Sequence, residues 1–389
     1  MPSSPAFRFS TLYAAVMFNP GVFTPFYPLF LAHQGFDPAS VGLILALGGP
    51  ARVIANPLML WLIDAGAPTR AMLCALHAGA GATLFLAIFV SGFWSMAALL
   101  FVATFLHSPS VAIIDAATTR AIQHDPSLAY GRVRVWGSVA FVIANLVGGY
   151  VVARYSPVAA AWLLVAGMSA AVVLSLLAPR DDPHKPDARF GAATTTSAVT
   201  GALALTVLAS ALIQASHSGY YAFSSIHWAA RGYSGNLIGA LWVVGVVVEI
   251  VLFARIGLLP RRLNGALAMM AIGGGAAVIR WLGMSFDPPL WITVFLQAGH
   301  ALTYGLTNIG AIAAFSILSP APFRGRTQGA HAAAFALLNG VGMYLGGIAY
   351  EHSGAGAYAW MSAVAATGLL CLIVAKRAAP QPQSALSGG

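Results

Sequence analysis

The sequence predicts an all-α membrane protein in which twelve transmembrane helices form two pseudo-symmetric six-helix bundles. Three observations carry that reading. First, 59% of the 389 residues are apolar and only 7% are charged, against about 25% charged in a soluble domain, which excludes a water-soluble fold. Second, apolar stretches of about 20 residues recur along the whole chain, each long enough to cross roughly 30 Å of hydrocarbon as a helix. Third, the chain repeats itself. Gly35-Phe36-Asp37-Pro38-Ala39-Ser40-Val41-Gly42 aligns with Gly232-Tyr233-Ser234-Gly235-Asn236-Leu237-Ile238-Gly239 at an offset of 197 residues. Gly131-Arg132-Val133-Arg134, continuing to Phe141 and Asn145, aligns with Gly325-Arg326-Thr327-Gln328, continuing to Phe335 and Asn339, at an offset of 194. Six spans separate the copies, so both keep the same orientation, the arrangement of a parallel repeat.

Span one is expected at 9–31, because the apolar run after Arg8 extends to about Leu31 and meets a polar turn without the small-residue pattern of a cleaved signal. Asn19-Pro20-Gly21 inside it, with Pro25 and Pro28 beyond, predicts a bent or locally unwound helix, which frees backbone groups for a ligand or a gate. Ser216-His217-Ser218-Gly219 is its counterpart in span seven. Spans two to six follow at 39–63, 71–90, 93–116, 133–153 and 158–178. The stretch from Pro179 to Ser197 then concentrates proline and charge that cannot be buried, and reads as a cytoplasmic linker. Spans seven to twelve are expected at 200–229, 235–256, 265–286, 290–318, 328–349 and 356–375. The organisation is a first bundle over 1–178, a linker over 179–199, a second bundle over 200–377 and a tail over 378–389.

The net charge of +9 reports topology rather than nucleic acid. With a cytoplasmic N-terminus, 15 of the 19 basic residues fall on the inner side, only Arg154 and Arg231 fall outside, and Arg52 and Arg280 lie within spans. The positive-inside rule then puts both termini in the cytoplasm. Cys74 and Cys371 sit in apolar segments and imply no disulfide framework.

A charge near the bilayer centre costs roughly 2.5–3.5 kcal/mol even on the mildest scale, so it is kept where it lines a cavity or finds a partner. Arg52, midway through span two, and Glu249, midway through span eight, coincide when the halves are overlaid at the 197-residue offset. That coincidence predicts a shared central cavity, with Arg52 holding substrate. Glu249 is the acidic residue deepest in any span and the leading candidate for proton coupling. Arg280 in span nine and His300 in span ten extend the series over consecutive spans, the first for coupling and substrate contact, the second for proton relay. Each has a structural alternative: Arg52 on a helix carbonyl, Arg280 snorkelling to the interface, Glu249 in a permanent pair with Arg280 or Arg52, His300 as a satisfied core residue. Asp115, near the inner end of span four, and Arg134, opening span five, are expected to pair, in coupling or in a cytoplasmic gate. Arg52 and Arg280 against Glu249 leave one uncompensated positive charge, which an anionic substrate would neutralise. Tyr27, Trp136, Tyr220, Tyr221, Trp242 and Tyr304 supply rings for the pocket, with packing and interfacial belts as the other use of such rings. Asn19 is placed in gating through the bend of span one.

Tyr130 to Phe141 and Gly219-Tyr220-Tyr221-Ala222-Phe223-Ser224, with the stretches around Arg52, Asp115, Glu249, Arg280 and His300, resemble the phenylpropionate permease group of the major facilitator superfamily along nearly the full length. The resemblance implies the major facilitator fold in a bacterial inner membrane and proton-linked uptake of an arylpropionate-type acid. Glu, Arg and His on spans eight, nine and ten are similar to the lactose permease arrangement, in which such groups serve proton coupling and substrate contact. Asp64, Gly66 and Arg70 are what matches the wider superfamily's loop signature between spans two and three, which gives Asp64 and Arg70 a gating role by resemblance.

The expectation is therefore a proton symporter importing a small organic anion, an aromatic carboxylate such as 3-phenylpropionate, by alternating access. The partners would be that solute and the bilayer, with no nucleic acid, no cofactor besides the coupling proton and no metal, in a monomer. A sugar or nucleoside symporter is the alternative. Drug efflux, which favours acidic cavities for cations, is disfavoured by the positive balance. A non-transporting sensor is a further class, and the absence of HExxH and GxSxG motifs and of clustered metal ligands argues against an enzyme.

Overall fold

A computed structural model of the chain describes residues 4–125, 128–178, 201–255 and 262–378. The linker expected over 179–199 and the tail from 379 onward lie outside the described residues. Eleven apolar helical stretches among the described residues are long enough to cross a membrane. The last, Ala321–Ala378, contains two long helices, Arg324–Ser353 and Tyr358–Ala378, that meet at Gly354, in keeping with twelve spans. No strand occurs among the described residues.

Span one is Pro5–His33, span two Pro38–Asp64, span three Thr69–Ala87, span four Phe93–His124, span five Tyr130–Arg154 and span six Pro157–Ser175. Span seven is Gly201–Ala230, span eight Gly235–Arg255, span nine Leu263–Ser285 and span ten Leu290–Leu318, with the last two helices as spans eleven and twelve.

The repeat returns as geometry. Gly35 and Gly232, matched across the halves, both take a left-handed backbone, at φ +89° and +82°, a conformation open to glycine at no steric cost. Each precedes a capped helix: Asp37 accepts from the Ser40 amide at 2.8 Å, and Ser234 from the Leu237 amide at 3.4 Å. Seven residues past those turns, Gly42 packs on the Met343 carbonyl of span eleven and Gly239 on the Asn145 carbonyl of span five, and a methyl at either would overlap the facing backbone. Two crossed seams therefore join the bundles, span two on span eleven and span five on span eight. These close approaches lie at the end bearing residues 35–49 and 232–239. Beyond them span two exposes Ile54, Leu58 and Trp61, and a Cβ at Gly131, Gly325 or Gly329, toward the other end of spans five and eleven, would meet nothing within 4 Å.

Four spans are interrupted. In span two, Pro50 has no N–H for the Ala46 carbonyl, and the helix restarts at Gly48. Span four breaks at Ser108-Pro109 for the same reason. Span seven breaks at Ser216-His217, where the Ser216 hydroxyl donates to the Ile213 carbonyl at 2.6 Å and the His217 ring meets the Gln214 carbonyl at 3.0 Å, so side chains compete for carbonyls the helix would use. Span ten widens into a π-helical turn over Ala301–Leu306. Span one departs from expectation: it stays helical from Pro5 to His33 through Pro20, Pro25 and Pro28. Spans five, six and seven pack along it, and neighbouring helices compensate the hydrogen bonds that proline removes.

Candidate functional site

Arg52 lies in the restarted helix of span two, one turn beyond Gly48-Gly49-Pro50. It is exposed although deep in the bilayer's thickness, because it lines a cavity of about 230 Å³ whose walls come from the first bundle alone, among them Asn19, Phe23, Asn56, Thr104, His107 and Met168. Among the described residues Arg52 has no carboxylate and no hydrogen-bond partner. His107 is an electrostatic neighbour on its own bundle and Tyr304 one on the other. An uncompensated guanidinium in a mostly apolar recess is a place for an anion.

The second bundle presents a connected network. Glu249 faces His300 at 3.5 Å, an approach made possible by Gly305, where a Cβ would lie 3.2 Å from the Glu249 side chain. Arg280 donates to His300 Nδ1 at 3.3 Å, to the Thr303 hydroxyl at 3.1 Å and to Gln297 Oε1 at 3.0 Å. Because Arg280 can only donate, Nδ1 of His300 accepts, and the ring proton sits on Nε2, facing the Glu249 carboxylate. Thr303 continues the chain to His217 Nε2 at 2.9 Å, and His217 Nδ1–H donates to the Gln214 carbonyl at the break in span seven. Tyr304 stacks on His300, with ring centroids 5.4 Å apart and planes 8° from parallel, and it is an electrostatic neighbour of both Glu249 and Arg52. Tyr304 thus stands between the two central charges.

Several expectations change. Arg280 is 2% exposed and does not snorkel; its guanidinium is sandwiched over Tyr220 at 5.0 Å and Trp281 at 4.5 Å, and among the described residues no carboxylate touches it. Cation–π contact and neutral acceptors hold it there, so in this state it is closed to substrate. Glu249 pairs with His300 and with neither arginine. The cavity at Arg52 is not shared equally, since Glu249 is outside its lining. Asp115 does not meet Arg134 directly: it accepts from the Tyr13 hydroxyl at 2.5 Å and the Tyr130 hydroxyl at 3.0 Å, while Arg134 lies over the Tyr13 ring at 5.3 Å. Tyr13, absent from the expected residues, joins the two.

Of the aromatic residues, Tyr220, Tyr221 and Trp242 cluster beside the network, with Tyr220 and Trp242 centroids 4.6 Å apart and the Trp242 indole donating to Ser225 at 3.0 Å. Tyr27 is buried in the first bundle's core, stacked on Phe23 at 4.7 Å. Trp136 is 52% exposed on a stripe of span five with Val139, Ile143 and Tyr150, outside the lining of the Arg52 cavity. Asn19 lines the Arg52 cavity without unwinding its helix. Arg70 donates to the Ala178 carbonyl at the end of span six, and Asp64 is exposed at the end of span two, so neither bridges the bundles. His217, Gln297 and Thr303 were missed. The signals that point to them are the polar break in span seven and the density of Gln, His and Thr within seven residues of span ten.

A family model described as the MFS_1 like family matches residues 8–360. The chain belongs to that family. It is a multi-pass membrane transporter of the major facilitator type, not an enzyme. A relative in Escherichia coli (strain K12), named "Probable 3-phenylpropionic acid transporter", is 30% identical over 315 residues, covering 77% of this chain and 79% of the relative. The fold is similar to that of a mutant of the nucleoside transporter NupG, with a TM-score of 0.82 at 15% identity over 95% of this chain and 99% of that one. It is also similar to a bacterial homologue of the human lysosomal transporter Spinster in an inward-facing, occupied conformation, with a TM-score of 0.71 at 13% identity over 97% and 96% of the two chains.

Proposed function

We propose that this protein is a proton-coupled symporter that imports a small organic anion, an aromatic carboxylate of the 3-phenylpropionate type, by alternating access. The observation that carries the reading is the contrast across the site: an accessible arginine without a counter-charge on one bundle, and a carboxylate held by a neutral histidine on the other. The substrate carboxylate takes Arg52, its ring lies against the apolar wall, and a proton taken up by Glu249 cancels the remaining charge. Neither charge then crosses the bilayer bare. His300 orients Glu249 and relays its proton, and Tyr304 lies where it can sense both events. The basic residues gather at the end that carries the termini, so by the positive-inside rule that end is cytoplasmic. The name of the Escherichia coli relative supports the substrate class.

Uptake of labelled 3-phenylpropionate into proteoliposomes tests the reading. Accumulation that requires an inward proton gradient, and that vanishes when the gradient is collapsed, is the expected result. Inserted, folded protein that accumulates no aryl acid would overturn it. A neutral hydroxyl-rich solute, a sugar or nucleoside, is the second reading, favoured by the unpartnered amide of Asn19 in the same cavity. It predicts uptake indifferent to Arg52→Gln.

A further inference from the structure

The cavity beside Arg52 carries more chemistry than a carboxylate needs. Asn19 is 1% exposed, lines the cavity, and has neither Nδ2 nor Oδ1 hydrogen-bonded. Other buried side chains among the described residues leave a single polar atom without a partner; Asn19 leaves both ends of its amide. Buried polar groups are nearly always satisfied, so such a group asks for an explanation. His107 lines the same cavity, with its Nδ1 buried and unpartnered. Its neighbour His77, with ring centroids 6.1 Å away, has both nitrogens engaged, by Ser175 at 2.9 Å and Ser110 at 3.0 Å. The first bundle thus satisfies its structural histidine and leaves the cavity-lining one open.

The room for the amide is itself specified. Asn19 lies against Gly167 of span six, where a Cβ would come within 2.8 Å of Oδ1. Thr24, Asn56, Thr104 and Ser108 add further polar groups to the lining, and Phe23, Leu100, Leu164 and Met168 form its apolar walls. A carboxylate is a poor occupant of the Asn19 position, because it only accepts and would oppose Oδ1. A hydroxyl both donates and accepts, so it can pair with either end of the amide or with Nδ1 of His107.

Resting on the reading of Arg52 as the carboxylate anchor, we propose that Asn19 and His107 form a second subsite, inside the first bundle, that binds a hydroxyl carried by the substrate's ring. The preferred substrates are then hydroxylated aryl carboxylates, anchored at Arg52 and read through the ring hydroxyl by Asn19 and His107. A site built to hydrogen-bond a hydroxyl discriminates against the analogue that lacks it, because its own buried groups then stay unpaired.

The test measures equilibrium binding to the purified full-length protein with two pairs of probes. The first pair sets 3-phenylpropionate against the set of its ortho, meta and para ring-hydroxylated forms; the second compares the corresponding 3-arylpropanols, which lack the carboxylate, in the same way. Wild type is expected to bind at least one ring-hydroxylated member of each pair about tenfold more tightly than the unsubstituted member. Asn19→Leu is expected to erase that preference. His107→Phe should reduce the preference severalfold, and it replaces the first variant if Asn19→Leu does not fold. A wild type without hydroxyl preference in either pair, or variants that keep it, would overturn the subsite. The anchor is read separately: if Arg52→Gln leaves the preference for acid over alcohol unchanged, the carboxylate reading falls, while the hydroxyl contrast between the alcohols still decides the subsite. Absence of binding by all probes overturns both.

Discussion

Arg52 and Glu249 hold matching positions in the two copies of the repeat, yet one stands open to a cavity with no partner among the described residues and the other is tied into a chain of hydrogen bonds that reaches span seven. The difference extends to their surroundings. In the first bundle, Asn19 and His107 line the cavity and leave buried polar atoms unpartnered; in the second, His217, Thr303 and His300 are engaged on both sides. The same position in the repeat thus carries an open group in one bundle and a connected one in the other. An open group is suited to exchange partners with solute, whereas a connected network is suited to respond as a unit to a proton.

Glu249→Gln should break this division most severely. The amide cannot take up a proton, so gradient-driven accumulation should fall to the level of passive equilibration while solute exchange persists; undiminished accumulation would remove Glu249 from coupling. Arg52→Gln comes next. Loss of a charge-assisted contact is worth about 1.5–3 kcal/mol, so affinity for the carboxylate should drop by roughly 10- to 150-fold, with the matching primary amide changing less than about threefold. Equal losses for both ligands in a binding titration would make Arg52 structural.

The network can be probed without touching its charges. Thr303→Val keeps the shape of the side chain but strands His217 Nε2 and one Arg280 donor, which should cost about 1–3 kcal/mol of stability, read as a lowered unfolding midpoint in detergent. No change in that midpoint would mean that the chain through Thr303 carries no energy. The smallest effect compares the two caps. Asp37→Ala and Ser234→Ala should each lose about 0.5–1 kcal/mol, but only the first is sensitive to pH. The Ser40 amide and hydroxyl hold the Asp37 carboxyl below its ordinary range. Its contribution is therefore complete above the unfolded carboxylate value near 3.9 and is lost as the pH falls through the lower folded value. Asp37→Ser should abolish that acid sensitivity while keeping a cap, and thermal unfolding between about pH 2 and pH 6 would show whether it does.

The bounds of the spans were readable because hydrophobic length is a local property, and both Gly35 and Gly232 were marked by the repeat before their backbone was known. The identity of the central charges was readable too, since Arg52, Glu249, Arg280 and His300 stand out against apolar neighbours by cost alone. Their partners were not. Arg280 appears in the sequence as one more free charge, and only packing against Tyr220 and Trp281 seals it; Trp136 appears as one more pocket ring, and only the rotation of span five leaves it outside the Arg52 cavity.

The sequence by itself determined the twelve helices, the duplicated halves and the residues that are expensive to keep in a membrane, because each follows from composition and spacing along the chain. The tertiary structure decided which of those residues meet. A membrane helix is apolar toward lipid and toward its neighbours alike, so no polar stripe tells which face is inside. The breaks at Leu47 and Ser216-His217, the π-helical turn after His300, and the glycines at the seams set the rotation of each segment. That rotation put Arg52 in a cavity and Glu249 against His300.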